Sequence, residues 1–573
     1  MRVGTIVRVP LHGRRVRGWV LADDVEPETA SDRLLPLTKV ASAGPPAEIV
    51  DLCKWAAWRY AGPVTALLRA ASPPNAVAAG ADPEVEAAVF PSPVVPDVVR
   101  EARRLPVGAL AWPPANDRRE LVLGLLADEG STIVVVPDAA RVSLLARQLE
   151  REGRSALEFR GDAPDATRTA AWARARAGAC VVVGGRIAVF APVPDLGAVV
   201  VLDDGDESLK EERAPAWHAR EVALERAHRD GARITLVSPA PTVEADLAAT
   251  GGVLRPERKV ERAGWPRVEV VDPRDEEPGR ALWTSRLVTA LQDAVAEGRA
   301  VCVLNRRGRA RLLACRTCTQ LATCGRCGAA VAETEAGFEC PRCGETRPRV
   351  CLHCHGSAFT PRRPGVSRLR DELAALLGRA RVAEVDAATD VVPDAEVLIG
   401  TEAVLHRVPA GRAVVLCAFL EFDQELLAAR YRAGEQALWL LARAARLVGP
   451  RAQNGRVLVQ TRVPGHEVLE AAAGADPTPL LDAERARRRT LGFPPFGGLA
   501  EVAGAPEAVT VACDALRARA ALSVLGPNVT GARASALLQA PSAAALCDEL
   551  GAVDLGPARA TGRLRVDVDP LRV

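Results

Sequence analysis

The chain has 573 residues, 48% of them apolar, which suits about three or four domains with well-buried cores and excludes a peptide or a disordered tail. Lys and Arg (74) nearly balance Asp and Glu (72), so the formal charge is only +2 and any nucleic-acid site must be a local patch rather than a global cationic surface. No run approaches about 18 uninterrupted apolar residues and Met1 leads into a charged segment, so the sequence reads as that of a soluble, cytoplasmic protein with no membrane partner.

Residues 1–72 open with runs of strand composition, Thr5 to Pro10 and Arg17 to Leu21, around Leu11 to Arg15, then turn helical through Trp55, Trp58 and Tyr60. A small mixed domain is expected. Its first eighteen residues carry Arg2, Arg8, Arg14, Arg15 and Arg17 without an acid, which makes Arg8, Arg14 and Arg15 candidate phosphate contacts; a solvated arginine face is the alternative. Residues 73–105 are dense in Pro, Ala and Val and suit a linker.

From 106 to 258, buried runs at Ile133 to Val136, Cys180 to Val183, Ala198 to Leu202 and Ile234 to Val237 alternate with helical stretches, the pattern of a parallel α/β sheet covered on both faces. A second series starts within 259–312 and resumes over 358–465, with Ala300 to Leu304, Val397 to Ile399, Ala413 to Cys417 and Val457 to Val459. Residues 313–357 interrupt it just after its first strand. Residues 466–573 read as a separate α+β domain.

Eight of the fourteen cysteines fall in that interruption, as four Cys-x-x-Cys pairs: Cys315/Cys318, Cys324/Cys327, Cys340/Cys343 and Cys351/Cys354. Such spacing lets two thiolates of one turn grip one tetrahedral ion, so two four-sulfur zinc sites are expected, structural rather than catalytic because neither keeps an open position. The pairs can combine in sequence or interleaved. Gly325, Gly328, Gly344 and Gly356 stand where knuckle turns need permissive dihedrals, and His353 and His355 read as bystanders. Cys53, Cys180, Cys302, Cys417, Cys513 and Cys547 read as core.

Two α/β lobes, the second carrying an eight-cysteine insertion, resemble the primosomal protein N′ family of bacterial replication-restart helicases. The residues that carry the likeness are Asn305-Arg-Arg-Gly308, Gly185-Arg-Ile-Ala-Val-Phe-Ala-Pro192, Trp217-His-Ala-Arg-Glu221, Gly400-Thr401, Tyr431-Arg-Ala433, Leu491-Gly-Phe-Pro-Pro-Phe496 and Asp567-Val-Asp-Pro570. The resemblance implies two helicase-like lobes, a small N-terminal α/β DNA-binding-like domain and a C-terminal α+β domain. It also assigns the zinc ligands: Cys324, Cys327, Cys340 and Cys343 to one site, and Cys315, Cys318, Cys351 and Cys354 to the other.

The sequence departs from that family at its chemistry. A phosphate-binding loop needs a lysine after glycine and before Ser or Thr, yet the only lysines are Lys39, Lys54, Lys210 and Lys259, and the loop's place reads Trp112-Pro-Pro-Ala-Asn-Asp-Arg-Arg119. The Asp-Glu-Glu-His box reads Asp203-Asp-Gly-Asp206, whose carboxylates could hold a metal but which on its own looks like a solvated acidic turn, and Leu447 and Pro450 stand where the arginine fingers belong. The family's winged-helix segment and its early Phe-Asp pair have no counterpart, so the first domain reads as truncated.

No catalytic and no nucleotide-binding residue is therefore assigned. The expectation is a replication restart protein that recognises stalled or abandoned forks and promotes primosome assembly and replicative helicase loading without helicase activity of its own. Its implied partners are branched DNA, primosome and helicase-loading proteins, and single-stranded DNA-binding protein. Arg306, Arg307 and Arg309 beside the cysteine module join Arg8, Arg14 and Arg15 as candidate DNA contacts. The alternatives are an active ATP-dependent 3′-5′ helicase with a non-standard nucleotide site, and a zinc-ribbon scaffold for protein partners.

Overall fold

The computed structural model describes residues 2–573 except 12, 24, 27–36, 79–94, 179, 277–281, 305–312, 335, 342, 362–365, 387, 390 and 409–412. Arg306, Arg307 and Arg309 lie outside the described residues.

The four apolar runs expected in the first lobe are strands Ser131–Val135, Val181–Gly184, Leu196–Leu202 and Arg233–Ser238. Val107–Ala111, Ala156–Phe159 and Val253–Leu254 complete a seven-stranded sheet that is parallel throughout. Alternation along a strand sorts side chains to two cores: Val199 and Val201 enter one, Val200 and Leu202 the other. The second lobe repeats this design with six parallel strands in the order Arg267–Val271, Arg456–Gln460, Val414–Phe419, Arg299–Val303, Val397–Gly400 and Val382–Val385. Val301 and Val303 face one core, Ala300 and Cys302 the other. Because Arg267–Val271 precedes Arg299–Val303, the cysteine module follows the second strand of this sheet rather than the first.

The N-terminal domain is a three-stranded antiparallel sheet, Arg14–Trp19, Ile6–Leu11 and Lys39–Ser42, beside helices Ala47–Arg59 and Val64–Ala71. Its apolar face merges with one face of the first lobe and with the C-terminal domain in a continuous core: Leu52, Leu68, Trp172, Val222, Leu516 and Leu546 belong to it. The C-terminal sheet runs Ser523–Thr530, Arg533–Ala540, Gly498–Gly504 and Leu564–Val568, all antiparallel.

Two segments fold differently from the sequence expectation. Within 73–105, helix Asp97–Ala102 buries Val99 and Ala102 against Leu121 and Leu125 of the first lobe, so composition alone misled there. Helices Glu467–Gly474 and Thr478–Leu491, expected in the last domain, pack Val468, Leu469 and Leu480 into the second lobe's core. No helix among the described residues is long and apolar enough to cross a membrane.

Candidate nucleic-acid interface, cysteine clusters and the cleft between the lobes

In open parallel sheets, ligands bind beyond the carboxyl ends of the strands. Beyond strand Leu196–Leu202 lie Asp203, Asp204 and Asp206, 2%, 0% and 3% exposed. These three are buried and partnered, which corrects the expectation of a solvated turn. Asp203, held at φ 58°, meets Arg118 of the first lobe and accepts two hydrogen bonds, both 2.9 Å, from Arg446 of the second. Against the opposing effect of burial, those guanidiniums keep its carboxyl well below the usual range. Asp206 accepts from Arg443 Nη2 at 2.8 Å and caps its own turn through Ser208 N at 2.9 Å.

The segment Trp112–Arg119 has its amides committed locally. Pro113 and Pro114 have no amide hydrogen, Ala115 N donates to Gly264 O at 3.1 Å, and Asn116 N donates to Pro113 O at 3.2 Å. The N-terminus of helix Arg118–Leu125 is capped by Asp117, which accepts from Arg119 N at 2.7 Å and places a carboxylate at the helix's positive end.

Asp204 accepts from Thr242 Oγ1 at 2.5 Å with Arg220 3.7 Å away, and burial pushes it up to about 6. A carboxyl raised in the folded state favours folding at low pH and loses that advantage as pH rises from about 4 through about 6. Asp204→Asn is therefore expected to match the parent near pH 4 and to be more stable above pH 7, by up to about 3 kcal/mol in denaturant titrations. A variant destabilised more at pH 8 than at pH 4 would contradict this.

On the N-terminal sheet, Arg8 stands opposite Arg17 on one side and Lys39 on the other, while Arg15 stands opposite Pro10. Arg8, Arg15, Arg17 and Lys39 thus share one pleated face; Arg14, opposite Leu11, belongs to the other. Arg8, Arg14, Arg15 and Lys39 are exposed and have no ion pair among the described residues. Like charges directly across strands are destabilising, so keeping these cations on one face costs the sheet stability. Arg17 donates to Pro73 O at 3.2 Å, and burial together with Arg8 and Arg69 pulls it below its ordinary value.

The eight module cysteines gather as two sets, Cys315/Cys318/Cys351/Cys354 and Cys324/Cys327/Cys340/Cys343, each with its sulfurs within 4.8 Å of one another. The interleaved combination is the one formed. Cross-pair Sγ separations of 3.5, 3.5, 3.6 and 3.5 Å exceed any disulfide and approach the ~3.8 Å edge of a tetrahedron with metal–sulfur bonds of ~2.3 Å. All four knuckles close alike: Thr319, Gly328, Gly344 and His355 each donate N–H to the carbonyl of the first cysteine, at 3.0, 3.0, 2.9 and 3.0 Å, with φ of 61°, 73°, 70° and 59°. Gly328 and Gly344 serve as expected. The other two left-handed positions fall to Thr319 and His355, because Gly325 and Gly356 lie off the closing position. The set of donors, four thiolates with amides at Cys324 and Cys351 Sγ (3.4 Å each), fits zinc. Cys53, Cys180, Cys302, Cys417, Cys513 and Cys547 are buried and belong to neither set.

Comparison with known proteins gives two family models: the "3'DNA-binding domain (3'BD)" of PriA over residues 1–73 and the "Primosomal protein N C-terminal domain" over 489–571. The "Probable replication restart protein PriA" of Mycobacterium tuberculosis (strain ATCC 25618 / H37Rv) is 32% identical over 590 residues, covering 91% of this chain and 86% of that protein. The chain belongs to the PriA family. Its likeness to the "Replication restart protein PriA" of Treponema pallidum (strain Nichols) is 30% over 78% of this chain and 74% of that one. To the Bacillus subtilis (strain 168) protein it is 29%, over 58% of this chain and 44% of the relative. Among solved structures, "Structure of RecG bound to three-way DNA junction" matches at TM-score 0.37 and 11% identity, covering 70% of this chain and 50% of that one.

Four of the PriA landmarks found in the sequence meet in pairs, while Asn305–Gly308 lies outside the described residues. Phe190 of the Gly185–Pro192 stretch stacks edge-on with Trp217 at 5.1 Å, and Tyr431 meets Phe493 at 5.3 Å. Lys210, from no motif, is buried with its ammonium on Val568 O at 2.7 Å and Asp567 at 2.8 Å, so the Asp567–Pro570 landmark is a socket for a lysine of the first lobe. Sequence reasoning missed Lys210, Arg118, Arg443 and Arg446. The available signal was two arginines three residues apart, Arg443 and Arg446, and an acidic run directly after a buried strand, Asp203 to Asp206.

Proposed function

We propose that the protein is a replication restart factor that binds branched DNA at stalled or abandoned forks through the arginine face of its N-terminal domain. In this reading it promotes primosome assembly and loading of the replicative helicase without hydrolysing ATP. The observation that carries the reading is the row Arg8, Arg15 and Lys39, exposed and without an ion pair among the described residues, on the domain matched by the 3′ DNA-binding model. The engaged cleft, with Asp117 at the helix N-terminus and Asp203 and Asp206 paired to arginines, supports the absence of phosphoryl transfer. Zinc, two ions per chain, staples the cysteine module, which with Arg306, Arg307 and Arg309 offers a second contact for DNA or for helicase-loading and single-stranded DNA-binding proteins in the cytoplasm.

The test is fork binding across a salt series, with and without Mg-ATP. Binding is expected to weaken linearly in log affinity against log salt and to ignore the nucleotide. A chain that fails to bind forks even at low salt would overturn the reading in favour of a protein-binding scaffold.

A further inference from the structure

We infer that the cleft between the two lobes is a fixed joint: side chains at the former nucleotide positions pair with one another across it and hold the lobes closed with no ligand between them. The pairs run from one lobe to the other. Arg446 grips Asp203 with both terminal nitrogens and donates Nε to Pro114 O at 3.3 Å; Arg443 meets Asp206 at 2.8 Å and also contacts His406 Nε2. A second cluster lies beside the first, with Glu244 of the first lobe facing Arg432 and Arg488, Arg488 reaching Glu435 at 2.5 Å, and Glu435 accepting from Val243 N at 3.0 Å. Asp203, Asp206, Glu244, Arg432, Arg443 and Arg488 are all buried in the closed cleft, where water screens their mutual attraction little.

The last residues of the chain add a strap. Asp567 and the carbonyls of Val568 and Asp569 hold Lys210 of the first lobe, and Asp569 pairs with Arg59 of the N-terminal domain. Leu571 O accepts from Gln436 Nε2 at 3.0 Å, Val573 O accepts from Tyr431 N at 3.1 Å, and Arg572 pairs with Glu207, which itself accepts from Gln436 at 2.8 Å. One segment therefore touches the N-terminal domain and both lobes. The N-terminal domain is tied to the first lobe by Trp172 Nε1 on Ala71 O at 2.9 Å, and the cysteine module to the second by Ala330 N on Leu427 O at 3.1 Å. A rigid joint fixes the separation between these two appendages, so the molecule presents its arginine face and its zinc module at a single spacing.

Small-angle scattering and hydrogen exchange of the full-length protein test this separately from ATPase and fork binding, because lobes that move freely would refute the joint even in a protein that never hydrolyses ATP. Asp206→Arg is expected to enlarge the radius of gyration and to speed amide exchange in helix Ala433–Val448 roughly tenfold or more. Adding Arg443→Asp to it should restore both, and Mg-ATP should leave the parent's scattering unchanged. In the parent, amides of that helix should exchange only as slowly as those of strands Arg299–Val303 and Leu196–Leu202, a comparison that stands even where the single variant unfolds. A single variant as compact and protected as the parent, a parent that changes shape with nucleotide, or helix amides exchanging well before the strands would overturn the joint.

Discussion

Replacing Arg8, Arg15 and Lys39 together with alanine is expected to lower fork affinity roughly a hundredfold near 0.1 M salt and to reduce the log–log salt slope by about 3. The expectation follows from the pleat. These three side chains share one face of the N-terminal sheet, are exposed, and lack acidic partners among the described residues, so each is free to displace a counterion from a phosphate. Removing them buries nothing and empties nothing, and the melting temperature should stay close to the parent's. Arg14, on the opposite face at the hairpin's end, is the internal control: Arg14→Ala should change affinity far less. Equal losses from Arg14→Ala and from Arg8→Ala would mean that the sheet face does not define the DNA contact. An unaltered slope in the triple variant would move the site to Arg306, Arg307 and Arg309.

Stripping metal from the cysteine module should have the largest structural effect of any treatment, because thiolates form much of the small core made by Leu313, Val331, Phe338 and Phe359. Without ions, each set of four thiolates becomes a crowd of like charges, and binding free energies on the order of 10 kcal/mol per zinc are lost. Metal analysis of the parent should give two zincs per chain. The double change Cys315→Ala with Cys354→Ala should release one of them, since both sulfurs lie in the same set, 3.5 Å apart. Combination of neighbouring pairs in sequence order would place these two cysteines in different sites, and the same variant would then lose both ions. Chelation should leave the lobes' cores intact, as they share no cysteine ligand with the module.

Much of this was legible in the chain because buried parallel strands and cysteine spacing are local signals. All eight apolar runs assigned to the lobes are strands, and the eight cysteines are the two clusters. Strands that escaped notice lack an uninterrupted apolar run: Ala156–Phe159 carries Glu158 at a sheet edge, and Arg267–Val271 alternates with Glu269, also at an edge. Helix Asp97–Ala102 is short and surrounded by prolines, so composition pointed to a linker, yet Val99 is fully buried. The pairings across the cleft were not legible. That Arg446 grips Asp203 depends on two residues 243 positions apart meeting across lobes, which no window of sequence reveals. Thr319 and His355 were invisible for another reason: their left-handed dihedrals come from knuckle closure, not from a glycine.

The most direct measurement is ATP hydrolysis and fork binding on one preparation, with the Asp203→Asn/Asp204→Asn variant alongside. Fork binding in the parent with hydrolysis no higher than in the variant is the expected result on the proposed reading, because the segment Trp112–Arg119 holds no lysine and Arg443 and Arg446 are engaged by Asp206 and Asp203. Hydrolysis stimulated by fork DNA and abolished by those two changes would contradict it.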